Sequence, residues 1–504
     1  MPVLLPGLLE LTRRARYFSI HAFLLDEYRR RRYAADARSL SSFILRREWE
    51  LGLAVQRCPS KCGSRPVGSR RLGGLAQGPG PFPRGESVES SLGGYGLYYR
   101  SPLIEFGIVA RSGTLLGGEP IPIDVLAGTE RATNLADCFR DAIKDTEYLK
   151  TWITTDAPIP AGVIDELAAV GCLCGLTGRA VERDAVHAAL FSEDHRDPAA
   201  EGPGAQGVRQ RRRSVAHYLT LIRDSPAVTD QESVYRDALW DAPTTATGEG
   251  HARVSEQWAA LIAKDVWQEA LCSIWSQFCT TGSSRTRLSG AGLTWEEVRA
   301  MSSTLVGGPP TIAGTTRTRD LAAQVSSGGL ALADGTSTFN PASATLEALR
   351  AWTRQTDTAT SGLIVILELA RRIRGRDGAG WRHAAGVSSA WQPSVTAVMG
   401  GLEAHLGDDP TVGQTLWWLV SNFVLPVHER IAYSKLPELT FRFRWEDGLL
   451  RFYDYGTARF PLAAIRNEPL ALLTRDLGMW DHTPNNGPAA LTTRGEAFIT
   501  QVLG

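Results

Sequence analysis

The longest helical pattern of the chain lies at residues 251–280, which read HARVSEQWAALIAKDVWQEALCSIWSQFCT. Apolar side chains recur there every three or four residues, which places them on one face of an α-helix. This stripe consists of Val254, Trp258, Leu261, Ile262, Val266, Ala270, Ile274 and Phe278, and it is widened by Trp267 and Trp275. A helix with so broad an apolar face packs between other helices. The segment predicts a central core helix in a mainly α, multi-helical protein.

The same periodicity predicts further helices on both sides of this segment. They cover residues 8–33, 40–55, 134–153, 161–170, 179–191, 344–356, 360–374 and 412–433. Pro426 should kink or split the last of them, because proline removes a backbone donor and clashes with the preceding turn.

The C-terminal residues 439–504 differ in character from the helical remainder. Residues 439–445 and 449–453 alternate apolar and polar side chains, and Glu446-Asp447-Gly448 supplies the turn of a β-hairpin. With the helices predicted after it, this hairpin forms a small C-terminal α/β module. The module resembles a winged helix in its hairpin and in the Leu-Thr-x-x-Gly entry into its last helix at residues 491–495, although the hairpin comes first. That resemblance implies DNA binding by the module.

These patterns, together with Gly/Pro-rich and Gly/Ser-rich stretches, predict six segments. They are a basic helical segment (1–72), a Gly/Pro-rich loop (73–104), a helical core domain (105–301), a Gly/Ser-rich insertion or linker (302–343), a helical domain (344–438) and the hairpin with its winged-helix-like module (439–504).

Charge is balanced over the whole chain but not along it. The 504 residues include 54 basic and 54 acidic side chains, which argues against a purely electrostatic polyanion binder. Residues 1–72 nevertheless carry 15 basic and 6 acidic side chains, a net charge of +9. This basic segment indicates either a solvated arginine-rich surface or an anionic partner. The candidate nucleic-acid contacts are Arg13, Arg14 and Arg16, together with Arg211, Arg212 and Arg213 of a second cluster that is expected to be exposed.

No complete catalytic motif is present in the sequence. None of the five lysines follows a glycine, so a phosphate-binding P-loop is excluded. His428 and Glu429 begin like a zinc-hydrolase helix, but Ala432 stands where that motif needs its second histidine. The catalytic residues of an enzyme stay unknown on this basis, and the first candidates are His428, Glu429, Asp454 and Tyr455.

The seven cysteines are typical of reduced thiols in a chain without a secretory signal, and they predict a cytoplasmic location. Cys58-x3-Cys62 and Cys172-x-Cys174 offer four thiolates, although neither spacing is that of a usual zinc knuckle. Buried, unliganded thiols are the commoner arrangement. The sequence therefore favours no metal and no cofactor, and it leaves open whether the four cysteines converge. Residues 411–427 are too short and too polar to cross a bilayer, so no membrane contact is expected.

Four segments resemble parts of large, helix-rich, uncharacterised bacterial proteins encoded near anti-phage or nucleic-acid-processing genes. They are residues 13–28, Cys172-Leu173-Cys174, Arg211-Arg212-Arg213-Ser214 and residues 428–435. The resemblance implies a non-catalytic component of a multi-protein assembly. The predicted function is a helical scaffold or adaptor of a nucleic-acid-associated assembly, with DNA or RNA and other proteins as partners. Two alternatives stay open: a protein-interaction scaffold without nucleic acid contact, and an enzyme of unrecognised class.

Overall fold

The computed structural model describes residues 1–116, 118–193, 203–306, 312–328, 330–331, 338–356, 358–388, 393–436, 441–453 and 464–504. The protein is 64% helical, and within these ranges it has 21 α-helices and only small two-stranded sheets. This confirms the predicted fold class, a mainly α protein with a small C-terminal α/β module. No helix in the described ranges is both long enough and apolar enough to cross a membrane.

The α-helices are numbered in chain order. They are α1 (Arg16–Arg30), α2 (Ala37–Gln56), α3 (Ser69–Leu72), α4 (Arg100–Glu105), α5 (Glu130–Ile143), α6 (Glu147–Lys150), α7 (Ala161–Gly171), α8 (Ala180–Phe191), α9 (Pro203–Asp224), α10 (Glu232–Asp241), α11 (Glu249–Ser289), α12 (Trp295–Thr304), α13 (Thr318–Ser327), α14 (Leu346–Thr356), α15 (Ala359–Ile373), α16 (Ala379–Ala385), α17 (Val395–Gly407), α18 (Val412–Leu419), α19 (Leu425–Ser434), α20 (Asn467–Asp476) and α21 (Thr493–Leu503).

Among the described residues the strands are short and pair as antiparallel couples: β1 with β4, β2 with β3, β5 with β6, β7 with β8, and β9 with β10. Their bounds are β1 (Val109–Ala110), β2 (Leu115–Leu116), β3 (Glu119–Pro120), β4 (Val125–Leu126), β5 (Leu330–Ala331), β6 (Thr338–Phe339), β7 (Phe443–Glu446), β8 (Leu449–Phe452), β9 (Trp480–His482) and β10 (Ala489–Leu491). Helix packing therefore supplies the core.

The chain divides into two compact units. The first comprises Met1–Asp230 and Ala464–Gly504, and the second Gln231–Ala463. This division differs from the predicted segments, because helices of the basic segment bury their apolar faces against later helices. Helix α1 packs on α5, and α2 packs on α7. A sequence window cannot show which distant helix covers an apolar face.

Helix α11 organises the second unit, as its pattern predicts. It packs against α10, α14, α15 and α16. Apart from the half-buried Leu261, every residue of the predicted stripe is buried. The helix extends beyond the predicted segment at both ends and stops at Gly290, whose φ of 66° lies in the left-handed region that favours glycine.

The interruption predicted at Pro426 is confirmed. Helix α18 leads into a π-helical turn at Val420–Val424, and α19 then begins at Leu425 with Pro426 as its second residue. The wider turn changes the hydrogen-bond ladder where the proline ring would otherwise meet the preceding turn.

The predicted C-terminal hairpin is confirmed as β7 and β8. Asp447 and Gly448 both have positive φ (53° and 77°), as a type I′ turn requires. This hairpin belongs to the second unit, whereas α20, β9, β10 and α21 belong to the first. Strands β9 and β10 are missing from the sequence-based prediction because three residues are too few to show an alternating pattern. The likeness to a winged helix stays a prediction.

Helix α1 begins at Arg16, later than the predicted start at residue 8. The amide of Leu9 donates to Thr12 Oγ1 at 3.1 Å instead of to a helical carbonyl. The amide of Ala15 donates to the carboxylate of Asp476 at 3.0 Å, so the C-terminal end of α20 caps the first turn of α1.

Candidate functional site: a cysteine cluster beside an arginine groove

Four cysteines from two distant parts of the first unit meet at one point. The sulfur atoms of Cys58, Cys62, Cys172 and Cys174 all lie within 4.8 Å of one another. The separations are 3.6 Å for Cys58–Cys174, 3.6 Å for Cys62–Cys172 and 3.5 Å for Cys172–Cys174. We call these four residues the cysteine cluster. The structure thus answers the question of convergence that the sequence left open.

Two helix ends position the cysteine cluster. Cys58 follows the end of α2, and its carbonyl accepts the amide of Lys61 at 3.0 Å in a turn where Lys61 has a φ of 47°. Cys172 follows α7 directly, and Cys174 lies in the 3₁₀-helix Leu173–Gly178. Because α2 and α7 pack against each other, the two cysteine pairs are brought together by ordinary helix packing.

Arg16 supports the second cysteine pair from inside the protein. Its side chain is buried and binds both carboxylate oxygens of Glu182 at 2.9 Å. It also donates to the carbonyl of Cys172. A Cβ atom at Gly175 would come within 2.5 Å of its Nη1. The predicted phosphate contact of Arg16 does not fit this position, because its guanidinium is enclosed and fully used within the fold.

The thiols of the cysteine cluster have different acidities. Burial opposes ionisation of Cys62, but hydrogen bonds from Ser64 and from the neighbouring thiols lower the pKa of Cys62 to about 7. Burial raises the pKa of Cys174 to about 11 and that of Cys172 well above the usual thiol range. Cys62, which lies at the surface, is therefore the first of these three thiols to lose its proton.

Directly after Cys62, residues 63–71 form one wall of a groove of about 1100 Å³. Five arginines line it against two glutamates, for a net charge of +3. These residues are Arg13, Arg14, Arg65, Arg70, Arg71, Glu89 and Glu468, and the half-buried Tyr98 also belongs to the lining. We call this site the arginine groove. It lies entirely within the first unit.

The arginines of the groove differ in how firmly they are held. Arg65 and Arg70 are exposed and form no ion pair with any residue that the structure describes. Arg13 pairs with Glu468 at 3.1 Å, with side chains 42% and 56% exposed. Arg71 pairs with the exposed Glu89. Four of the five guanidinium groups can therefore bind an anion from solution, either directly or in place of an exposed glutamate.

Arg14 joins the arginine groove to the cysteine cluster. Its guanidinium binds both carboxylate oxygens of Asp476 at 2.9 Å and lies 2.5 Å from Ser64 Oγ. Ser64 Oγ in turn lies 3.2 Å from the sulfur of Cys62. The groove wall and the cluster therefore form one connected site.

The second predicted cluster, Arg211 to Arg213, is not an exposed surface. Arg211 is 1% exposed, donates to the carbonyls of Leu190 at 2.9 Å and Pro6 at 2.7 Å, and lies 4.2 Å from the ring centroid of Phe106. The expectation that Arg211 is exposed is wrong, because its side chain faces the core of the first unit from within α9. Arg212 pairs with Glu193 at 2.9 Å, and Arg213 is half-buried.

The candidate catalytic residues do not assemble into a site among the described residues. The Nε2 atom of His428 accepts the amide of Arg442 at 2.9 Å, and burial together with nearby cations lowers the pKa of His428 to about 4. Glu429, next to it on α19, is exposed. Asp454 and Tyr455 lie outside the described residues. His428 therefore serves as a neutral hydrogen-bond acceptor at the base of the hairpin.

The structure brings Arg13 and Arg14 together with three arginines that are not among the predicted nucleic-acid contacts. Arg65, Arg70 and Arg71 belong to the +9 segment, so charge counting locates their region but not their convergence. Their common orientation depends on the fold of residues 63–71. No family model, curated protein or solved structure matches this chain.

Proposed function

We propose that this protein is a non-catalytic, nucleic-acid-binding component of a larger assembly, and that the arginine groove binds the phosphate backbone of single-stranded DNA or RNA. The observation that carries the proposal is the convergence of five arginines in one groove, two of them without an ion-pair partner among the described residues. Neutralising phosphates with arginine releases bound counterions, which supplies most of the affinity of such interfaces.

A single strand fits the groove better than a duplex does. Grooves that hold single strands combine positive charge along the backbone with aromatic side chains on which bases stack. Here Tyr98 is a half-buried residue of the groove lining. A concave site also suits a flexible strand, whereas a rigid duplex presents a convex surface. The proposed ligand is therefore a short segment of single-stranded nucleic acid without sequence preference.

The two glutamates of the groove do not prevent this binding. Glu468 and Glu89 are 56% and 87% exposed, and ion pairs at such exposure contribute about 0 to 1 kcal/mol. A phosphate offers the same guanidinium groups a bidentate hydrogen-bonding partner. Exchange of a glutamate for a phosphate thus costs little.

The experiment is fluorescence anisotropy with a labelled oligothymidine, comparing the wild-type chain with the double variant Arg65→Ala/Arg70→Ala. Both side chains are exposed, so their removal leaves folding unchanged. At low salt we expect the affinity of the variant to fall roughly 10-fold or more, since it loses two phosphate contacts.

The matched control is Arg38→Ala/Arg111→Ala, which removes the same charge from exposed positions of the first unit outside the groove. We expect its affinity to stay within about 2-fold of wild type, because salt screens the charges of arginines that lie outside the groove. An equal loss of affinity in both double variants would show that the groove is not the binding site. No retention of the oligonucleotide by the wild-type chain would favour the protein-interaction scaffold instead. The anti-phage setting implied by the resemblance stays a prediction.

A further inference from the structure

We propose that the cysteine cluster is a structural zinc site, in which Zn²⁺ is bound tetrahedrally by the thiolates of Cys58, Cys62, Cys172 and Cys174. This goes beyond the arginine groove and does not depend on it. It replaces the expectation of unliganded thiols that the irregular cysteine spacing favours.

The distances between the sulfur atoms match such a site. With Zn–S bonds of about 2.3 Å, the edge of a tetrahedral sulfur cage is about 3.8 Å. The observed edges of 3.5 and 3.6 Å, with every pair inside 4.8 Å, come close to that figure. Four sulfurs around one centre can bind a common ion without rearrangement of the two loops.

The four sulfur ligands and the groups around them indicate which metal ions the site can bind. Four thiolates without a carboxylate or imidazole favour zinc or iron over magnesium, calcium or manganese. All four positions are filled by protein ligands, which is typical of structural rather than catalytic zinc. The sulfur of Cys62 is also hydrogen-bonded to Ser64 Oγ at 3.2 Å. Such hydrogen bonds hold ligand sulfurs in place around a metal.

Zinc binding needs no oxidant or reductant. Four Zn–S bonds form, each thiol that is still protonated releases its proton to solvent, and the sulfur and zinc oxidation states do not change. The bound ion joins the loop after α2 to the loop after α7, which lie more than 100 residues apart in sequence. It thereby fixes residues 63–71, the wall of the arginine groove.

The test is metal analysis of the full chain, purified without added metal and without chelators. We expect about one zinc and no stoichiometric iron per chain, as for a closed four-thiolate site. Mercurial modification of the thiols should release the zinc. Reconstitution of the metal-free chain with Co²⁺ should give the visible absorption of a tetrahedral cobalt–thiolate centre, which reports the ligand set directly.

Two single variants, Cys62→Ser and Cys174→Ser, should each weaken zinc binding by more than about 100-fold, because the loss of an outer hydrogen bond alone costs about 10- to 100-fold. The matched controls are Cys138→Ala and Cys272→Ala, which remove thiols outside the cluster and should keep the wild-type zinc content. A wild-type chain without zinc, whether its four thiols are free or paired as disulfides, would overturn the proposal. So would stoichiometric iron, or zinc that persists in both serine variants.

Discussion

A buried carboxyl group in the first unit makes stability depend on pH. Glu48 accepts hydrogen bonds from Ser87 Oγ at 2.6 Å and from the amides of Gly94 at 2.7 Å and Tyr95 at 2.6 Å. Burial nevertheless outweighs these bonds and raises the pKa of Glu48 to about 7. The nearby His21 offers no compensating charge, because burial lowers the pKa of His21 to about 3.

This pKa sets the sign of a prediction for Glu48→Gln. The folded protein binds a proton at Glu48 between the ordinary value of 4.5 and about 7, whereas the unfolded chain has released it. The contribution of Glu48 to the free energy of unfolding should therefore fall by about 3 kcal/mol as pH rises through that window. Glu48→Gln should remove this contribution, as measured by urea unfolding at about pH 5 and about pH 8. An identical pH dependence in variant and wild type would contradict the assignment.

A second residue-scale prediction concerns Arg211, whose side chain is a core contact and not a phosphate ligand. Arg211→Ala leaves the carbonyls of Leu190 and Pro6 without their donor and opens a space beside Phe106. We expect the free energy of unfolding to fall by about 2 to 4 kcal/mol. The half-buried Arg213→Ala should change it by only about 0.5 kcal/mol. Equal urea midpoints for the two variants would show that Arg211 is not buried as described.

At the scale of elements, the close approach of α15 to α11 makes Gly362 necessary. A Cβ atom at this position would lie 2.5 Å from the carbonyl oxygen of Ala270 and 2.8 Å from Cγ1 of Ile274. Gly362→Ala should therefore lower the free energy of unfolding by about 1 to 3 kcal/mol, despite the better helix propensity of alanine.

Gly400 in α17 supplies the matched control, because a Cβ atom there meets no atom within 4 Å. Gly400→Ala should stabilise the protein by roughly 0.5 to 1 kcal/mol, since alanine loses less conformational freedom on folding. Thermal unfolding of both variants measures the contrast. A stabilising Gly362→Ala would rule out the close packing of the two helices.

The helices could be predicted from sequence where their own pattern determines them. The apolar stripe of α11 and the turn residues Asp447 and Gly448 are local signals, and the structure confirms both. The start of α1 could not be predicted, because the carboxylate of Asp476 caps it from far along the chain. The burial of Arg211 cannot be predicted from local sequence for the same reason, since its acceptors Leu190 and Pro6 lie elsewhere in the chain.

At the scale of the whole molecule, the candidate site forms because residues from distant parts of the sequence meet within the first unit. The cysteine cluster joins residues more than 100 positions apart, and the arginine groove combines residues 13–14 and 63–71 with Glu468. Neither the cysteine spacing nor the local charge predicts that these residues lie close together. Charge counting indicates the basic segment, and the packing of α2 on α7 brings the two cysteine pairs together.

The division into two units allows a local effect of the cysteine cluster to be distinguished from a general loss of stability. Cys62→Ser should accelerate tryptic cleavage within residues 1–230, because the loops after α2 and α7 lose their link. Residues 231–463 should be cut at the wild-type rate. Mass spectrometry of the fragments over time provides the measurement, with Cys138→Ala as the control. Faster cleavage in both units alike would contradict a local role of the cluster.

The salt dependence of oligonucleotide binding tests the central claim most directly. If the arginine groove binds phosphates, the logarithm of the association constant should fall linearly with the logarithm of salt concentration, by about 0.7 per phosphate contact on a single strand. Arg65→Ala/Arg70→Ala should reduce this slope by roughly 1.4, and Arg38→Ala/Arg111→Ala should leave it unchanged. A wild-type affinity that does not respond to salt, or a slope that is the same in all three proteins, would contradict the account.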